Sequence, residues 1–488
     1  MSEAKRLHPI TILIHILKQL KEFIIPIIIF IFLGSRDGDK SGFFFLIGIS
    51  IAIAFVLVSA ILSWVRFTYR IEEGELRIEH GIFVKKKRYI PFERIQSIDL
   101  SEGILQRPFG LVKLSVETAG SGGANLDESE ANLTAITKKE ANTIQAIIAA
   151  EKNKMNIDET SHVNEQKEHE EILYEISSKE LLLLASTSGG VGVVISAFFA
   201  FIFQFEEYIP YERIFKDFEQ IAANGFIFIS ILVFIGFLIA WVVALIGTMI
   251  KYASYTVKKV NDDLIISRGL VEKRQLTIPI KRIQAIRIAE SPIRQPFGLC
   301  SVFVESAGGS VMDKEGASVM LLPLIKKDKI STYLAAGLNV YNFNPTFKSV
   351  PKRALKRYIF RGLLYVLPLV AAALFFFRQW GLFSLILPLI SIYWSYLRYK
   401  DAGWSLHNQQ LNLRSRFMIK NTFFMIKNRV QSLDIQHSFF QRRKKLATVV
   451  AMVKSGEGHA SGKVIDIESS DADVIYQWFS KRSLEKNR

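Results

Sequence analysis

The sequence predicts a multi-domain membrane protein: three transmembrane helical hairpins alternating with three small β-rich domains, each closed by a C-terminal helix. Three observations lead there. Half of the 488 residues are hydrophobic and 37 are Phe. The apolar runs come in pairs. And one stretch occurs twice: "RIQSIDLSEGILQRPFGL" from Arg94 and "RIQAIRIAESPIRQPFGL" from Arg282 agree at nine of eighteen positions without a gap.

A helix needs roughly 20 apolar residues to cross a bilayer. The first pair of runs is "FIIPIIIFIFLG", extended upstream to about Ile10, and Phe43–Val65. The second is Leu181–Phe203 and Gly225–Ile250, and the third Tyr358–Phe377 and Gly381–Leu397. Lys18, Lys21 and Glu22 interrupt the first run, which lacks a small-residue cleavage site and reads as an anchor, not a cleaved signal. "MSEAKR", "RFTYR", "KYASYTVKK", "PKRALKRY" and "RYK" border one set of span ends, whereas the loop 204–224 carries more acids than bases. The positive-inside rule then places both termini and the soluble domains in the cytoplasm of a multi-pass cell-membrane protein.

The resulting division is hairpin 1–65, domain 66–150, acidic polar linker 151–180, hairpin 181–250, domain 251–340, linker 341–357, hairpin 358–397 and a divergent domain 398–488. Each domain opens with apolar–polar alternation ("YRIEEGELRIEHGIFVKKKRYIPF", "NDDLIISRGLVEKRQLTIPI", "HNQQLNLRSRFMIKNTFFMI") and closes with a predicted helix such as "DADVIYQWFSK". Short strands with one covering helix suggest a bent sheet or open barrel. The third domain repeats the motif as "NRVQSLDIQHSFFQRRKKL", with Arg443, Lys444 and Lys445 where the others have Pro-Phe-Gly.

The segment "P-x-x-R-I-Q-[SA]-I" at Pro91–Ile98 and Pro279–Ile286, followed by "PFGL", resembles the bacterial pleckstrin-homology-like domain 2 family. The alternation of hairpins and domains is similar to that of its multi-pass membrane members. The resemblance implies PH-like β-sandwich or open-barrel domains, a curved seven-stranded sheet capped by a helix, and no known catalytic residues. A second membrane protein of the same family is one expected partner.

Charge and motifs narrow the chemistry. The net charge is +16, and Lys85-Lys86-Lys87-Arg88 and Arg442-Arg443-Lys444-Lys445 are the densest basic clusters. Beside a membrane they suit anionic phospholipid headgroups; they lack the interleaved aromatics of a nucleic-acid surface, so no nucleic acid is expected. The eight His are scattered, and His162 and His169 lie in the acidic linker, so neither a metal nor a cofactor is expected. "GEGHASGKV" at Gly456–Val464 has the wrong spacing for a phosphate loop and reads as a hairpin turn. Cys300 reads as a core residue, and "STSGGVG" at Ser186–Gly192 as close helix packing.

Arg94/Gln96, Arg282/Gln284 and Arg429/Gln431 recur in all three domains and are the candidate ligand- or partner-binding residues, with a competing role in satisfying turn backbone. The Phe of each Pro-Phe-Gly is expected to be buried. The span middles carry almost no charge, against a transport path. The expected role is a non-catalytic scaffold or regulatory binding protein; the alternative is a component or regulator of a transporter for amphipathic compounds.

Overall fold

The computed structural model describes residues 4–20, 38–118, 131–157, 170–190, 196, 226–307, 318–335, 337–456 and 458–480. The chain divides into two compact units. The first holds the described residues up to 157 together with 271–277; the second holds 170–270 and the described residues from 278 on.

In the first unit, α1 (Ile10–Leu20) and α2 (Gly38–Arg66) belong to the first apolar pair. They lead into an antiparallel sheet of β1 (Thr68–Glu72), β2 (Glu75–His80) and β3 (Lys86–Pro91). Glu73 and Gly74 turn the β1–β2 hairpin with φ of 53° and 73°, as a two-residue turn matching strand twist requires. A 3-10 turn, Phe92–Arg94, leads to a second antiparallel sheet of β4 (Ile95–Glu102), β5 (Leu111–Thr118) and β6 (Ala131–Thr137), then to α3 (Lys138–Ile157). Leu76, Ile78 and Ile90 from one sheet, Leu114, Val116 and Leu133 from the other, and Ala141, Ile144 and Ile148 at helical spacing form one core.

The second unit opens with β7 (Glu170–Glu175) and α4 (Ser178–Ser186), started by a Ser177/Glu180 capping box, and continues to α5 (Phe226–Tyr252). The same strand order follows: β8 (Thr256–Val260), β9 (Asp263–Arg268), β10 (Lys273–Pro279), β11 (Ile283–Glu290), β12 (Leu299–Ser306), β13 (Ser318–Lys326) and α6 (Ile330–Ala335). After β14 (Lys348–Ser349) come α7 (Leu355–Phe377) and α8 (Ile386–Asp401). The third repeat consists of β15 (Gly403–His407), β16 (Gln410–Arg416), β17 (Lys420–Ile426), β18 (Val430–Gln436), α9 (Phe439–Arg443), β19 (Leu446–Ser455), β20 (Gly458–Glu468) and α10 (Ser469–Ser480).

Three described segments are long and apolar enough to cross a membrane: Phe234–Tyr252, Lys352–Phe377 and Gly381–Asp401. Most of the first run beyond Leu20, and most of Leu181–Phe203, lie outside the described residues. α7 and α8 approach closely at small residues. A Cβ on Gly362 would meet the Ser395 hydroxyl and lie 2.9 Å from that of Ser391, so both hydroxyls would have to turn away to admit a larger residue.

Several expectations need correction. The repeats are not separate globules: in the second unit β11 of the second repeat pairs with β17 of the third, giving a seven-stranded sheet in the order β13-β12-β11-β17-β16-β15-β14. β11 is buried along nearly its whole length, and Ala285 joins the third repeat's core. The expected linkers carry strands. Within 151–180, β7 pairs with β8 and Tyr174 is buried; within 341–357, β14 pairs with β15 and Val350 is buried. The closing helix of the second repeat, α6, is only six residues long. Most of Gly456–Val464 is strand β20, not turn.

Candidate functional site

The repeated Arg-x-Gln has the same backbone role in each repeat. Arg94, Arg282 and Arg429 end a 3-10 turn, and the next strand starts with a bulge. Ile95 and Ser97 face the adjacent residues Thr118 and Glu117, so Gln96 is the extra residue; Gln284 and Gln431 occupy the same slot opposite Ser306/Glu305 and Val453/Met452. Gln284 is buried and donates to the Arg282 carbonyl at 2.9 Å. Gln431 and Arg94 are exposed, Arg282 and Arg429 half-buried, and the side chain of Gln96 lies outside the described residues. Each Gln thus occupies the bulge of its own repeat.

The Pro-Phe-Gly loops differ from expectation. Gly110 and Gly298 have φ of 64°, and Lys445 takes the same left-handed conformation at the equivalent place. The Phe residues, however, are not buried: Phe109 is 61% and Phe297 70% exposed. The loop is held instead by the residue three before the Phe. Gln106 accepts from Gly103 N and donates to the Thr134 carbonyl; Gln441, in the same position, accepts from Ser438 N and donates to Thr448 and Asp466. A planar side chain with both donors and acceptors can close such a turn, leaving Phe free to project.

A second exposed tip joins the second and third strands of each repeat: Phe83 and Val84, Leu270 and Val271, and Phe417, Met418 and Ile419. These tips touch the helix that precedes their own repeat. Arg66 Nη1 donates to the Ile82 carbonyl (2.6 Å), Leu270 N to that of Ile250 (3.0 Å), and Trp394 Nε1 to that of Phe417 (2.8 Å). The Pro-Phe-Gly-type loops lie against the incoming side. The His8 ring, just before α1, is 6.4 Å from that of Phe109; Arg294 donates to Thr187 Oγ1 at 2.8 Å and to the Leu184 carbonyl of α4; Arg353, just before α7, donates to the Lys445 carbonyl. Every repeat thus presents two apolar tips, one beside each of its helices.

The basic clusters adjoin these tips. Lys85–Arg88 follows Phe83-Val84, with Lys85 and Lys87 2.6 and 3.6 Å from Glu79. Arg442–Lys445 is exposed beside Phe439 and Phe440, and the Arg443 guanidinium lies 4.5 Å from the Phe439 ring. Behind this cluster, fully buried Asp466 accepts from Arg357 Nε (3.1 Å), Arg361 Nη2 and Gln441 Nε2 (2.8 Å), tying β20 and the basic loop to α7. Arg361 is therefore an ion-pair partner of the domain. Asp466, Arg294 and the tip residues between the second and third strands were not singled out by sequence reasoning. The one available signal was a large apolar residue at the apex of a hairpin, as in "GIFVKK" and "RFMIK". His162 and His169 lie outside the described residues, and among the described residues no group of three metal-ligating side chains converges.

Apolar helices long enough to span a membrane, together with repeated β-rich domains, define a membrane protein built from tandem small β domains. The "Bacterial PH domain" family model matches residues 23–152, 201–337 and 361–483, and the chain belongs to that family. It is similar to the "UPF0699 transmembrane protein YdbT" of Bacillus subtilis (strain 168), 39% identical over 494 residues that cover 98% of this chain and 99% of the relative. No solved structure matches the chain.

Proposed function

We propose that this protein is a non-catalytic membrane scaffold whose three PH-like domains, each following a helical hairpin, lie on the cytoplasmic surface with their apolar tips in the lipid interface. The single observation that supports this is the pairing of two exposed apolar tips with the two helices of each repeat. A Phe or Ile at such a place costs exposure in water but partitions into the interfacial layer, and neighbouring Lys and Arg add on the order of 1 kcal/mol each near an anionic leaflet. The basic charges flanking the span ends supply the cytoplasmic assignment. Weak surfaces held at one membrane gain from local concentration, which suits a multivalent binder of headgroups and membrane proteins. The close Gly362–Ser391/Ser395 contact favours a packed hairpin over a conduit.

The test uses the full chain in vesicles. Native Cys300 is fully buried, so Phe83→Cys, Phe297→Cys or Phe417→Cys can carry an environment-sensitive fluorophore, with exposed Lys454→Cys as control. The tip probes are expected to emit blue-shifted and to be quenched by shallowly brominated lipids. The shift should grow with phosphatidylglycerol content and shrink when Arg442–Lys445 are changed to Ser. Tip spectra equal to that of the control would refute the reading.

A further inference from the structure

Sheet edges carry an inference independent of lipid contact. Repeats meet by one rule: the fourth strand of a repeat pairs antiparallel with the third strand of the next. In the second unit β11 pairs with β17, placing Glu290 opposite Lys420, Ala289 opposite Asn421 and Ile288 opposite Thr422. In the first unit β4 pairs with β10, placing Glu102 opposite Lys273, Ser101 opposite Arg274 and Leu100 opposite Gln275. Counted from the repeated Arg-x-Gln, these two registers are the same.

The rule leaves two edges over. Among the described residues, β3 ends the sheet β1-β2-β3 and β18 ends the sheet β18-β19-β20. Among these residues β3 is a third strand without a fourth strand beside it, and β18 is a fourth strand without a third. Burial follows: β11 is buried at all but one position, whereas its equivalent β18 is half-buried or exposed at all but one. An open strand edge is a template for another chain.

We propose that a second copy of this chain covers it, β18 of one molecule pairing antiparallel with β3 of the next in the register of the internal junctions. That register puts Asp434 opposite Arg88, Leu433 opposite Tyr89 and Ser432 opposite Ile90. Opposite charges therefore face one another, and Tyr89, 52% exposed in the single chain, gains an apolar neighbour. The Lys at the start of β3 does not block pairing, because β10 and β17 also begin with Lys and both are paired. The contact is heterologous, so each addition regenerates the free edges and produces chains or rings in the plane of the membrane.

The test is oxidative crosslinking of the full chain in native membranes, with two differently tagged copies co-expressed. One carries Leu433→Cys and the other Tyr89→Cys; a second pair carries Ile435→Cys and Lys87→Cys. Offset pairs, such as Leu433→Cys with Lys86→Cys, are the control. The in-register pairs are expected to give mixed-tag dimers and the offset pair far less. Asp434→Lys or Arg88→Glu alone should lower the crosslinked fraction about fivefold or more, and placing both in each copy should restore it. Equal crosslinking of in-register and offset pairs would overturn the proposal. So would crosslinking of Leu433→Cys and Tyr89→Cys only when both sit in one chain, which would mean closure within the molecule. Unchanged crosslinking in the charge-reversal variants would remove the assigned register.

Discussion

Changing Asp466 to Asn isolates the electrostatic tie between α7 and the third domain. Asp466 has a φ of 60° within a register shift of β20, a conformation Asn tolerates better than other residues, so Asp466→Asn leaves the backbone at rest. The Asn oxygen can still accept from Gln441 or Arg357. Its amide nitrogen, however, must face a guanidinium, donor against donor, in a site with no solvent access. A hydrogen bond to a charged group contributes about 1.5–3 kcal/mol net, and breaking a buried pair costs more. Arg357 and Arg361 are 23% and 33% exposed, so both guanidinia can swing into water and recover part of the loss. The balance is a destabilisation of about 2–3 kcal/mol, which at a urea slope of about 2 kcal/mol per molar lowers the midpoint by about 1–1.5 M. Pulse proteolysis of the detergent-solubilised chain across a urea series, following a C-terminal tag, measures it. A midpoint within about 0.3 M of the unchanged protein refutes the assignment of Asp466 as the anchor.

Two further outcomes follow from the same physics. Burial pushes the Cys300 thiol up to about 12, while unfolded chain titrates at the ordinary thiol value; the unfolded state alone loses its proton between these limits, so this group's contribution to stability is complete below about pH 9 and lost as pH rises towards 12. Maleimide at pH 8 should accordingly leave the native protein unlabelled and react after denaturation; fast native labelling would contradict the buried strand. Lys445 holds φ of 51° where the other repeats have Gly, so Lys445→Gly should raise stability by about 0.5–1 kcal/mol, read as a higher urea midpoint in the same proteolysis series.

Much of the architecture was legible because it rests on local pattern. Strand alternation and the repeated Arg-x-Gln each report short-range geometry, and three recurrences of one pattern reinforce each other. The sharing of sheets was not legible. "RIQAIRIAE" alternates in the same way whether its outer edge meets water or β17; only burial on both edges distinguishes the cases. Phe109 and Phe297 were misjudged for a related reason: an aromatic in a tight turn signals burial in a soluble domain, whereas beside a membrane helix it can remain exposed. Asp466 was invisible because its Arg partners lie more than a hundred positions away and nothing local announces them.

The joined sheet of the second unit also governs how the molecule can be dissected. Cutting at 341–357, the obvious place between repeats, would strip β17 from β11 and leave a freshly bared ladder with Ile286 and Ile288 on it. The second and third repeats therefore have to be kept together, and a recombinant piece trimmed to one of them would begin life as an aggregation seed.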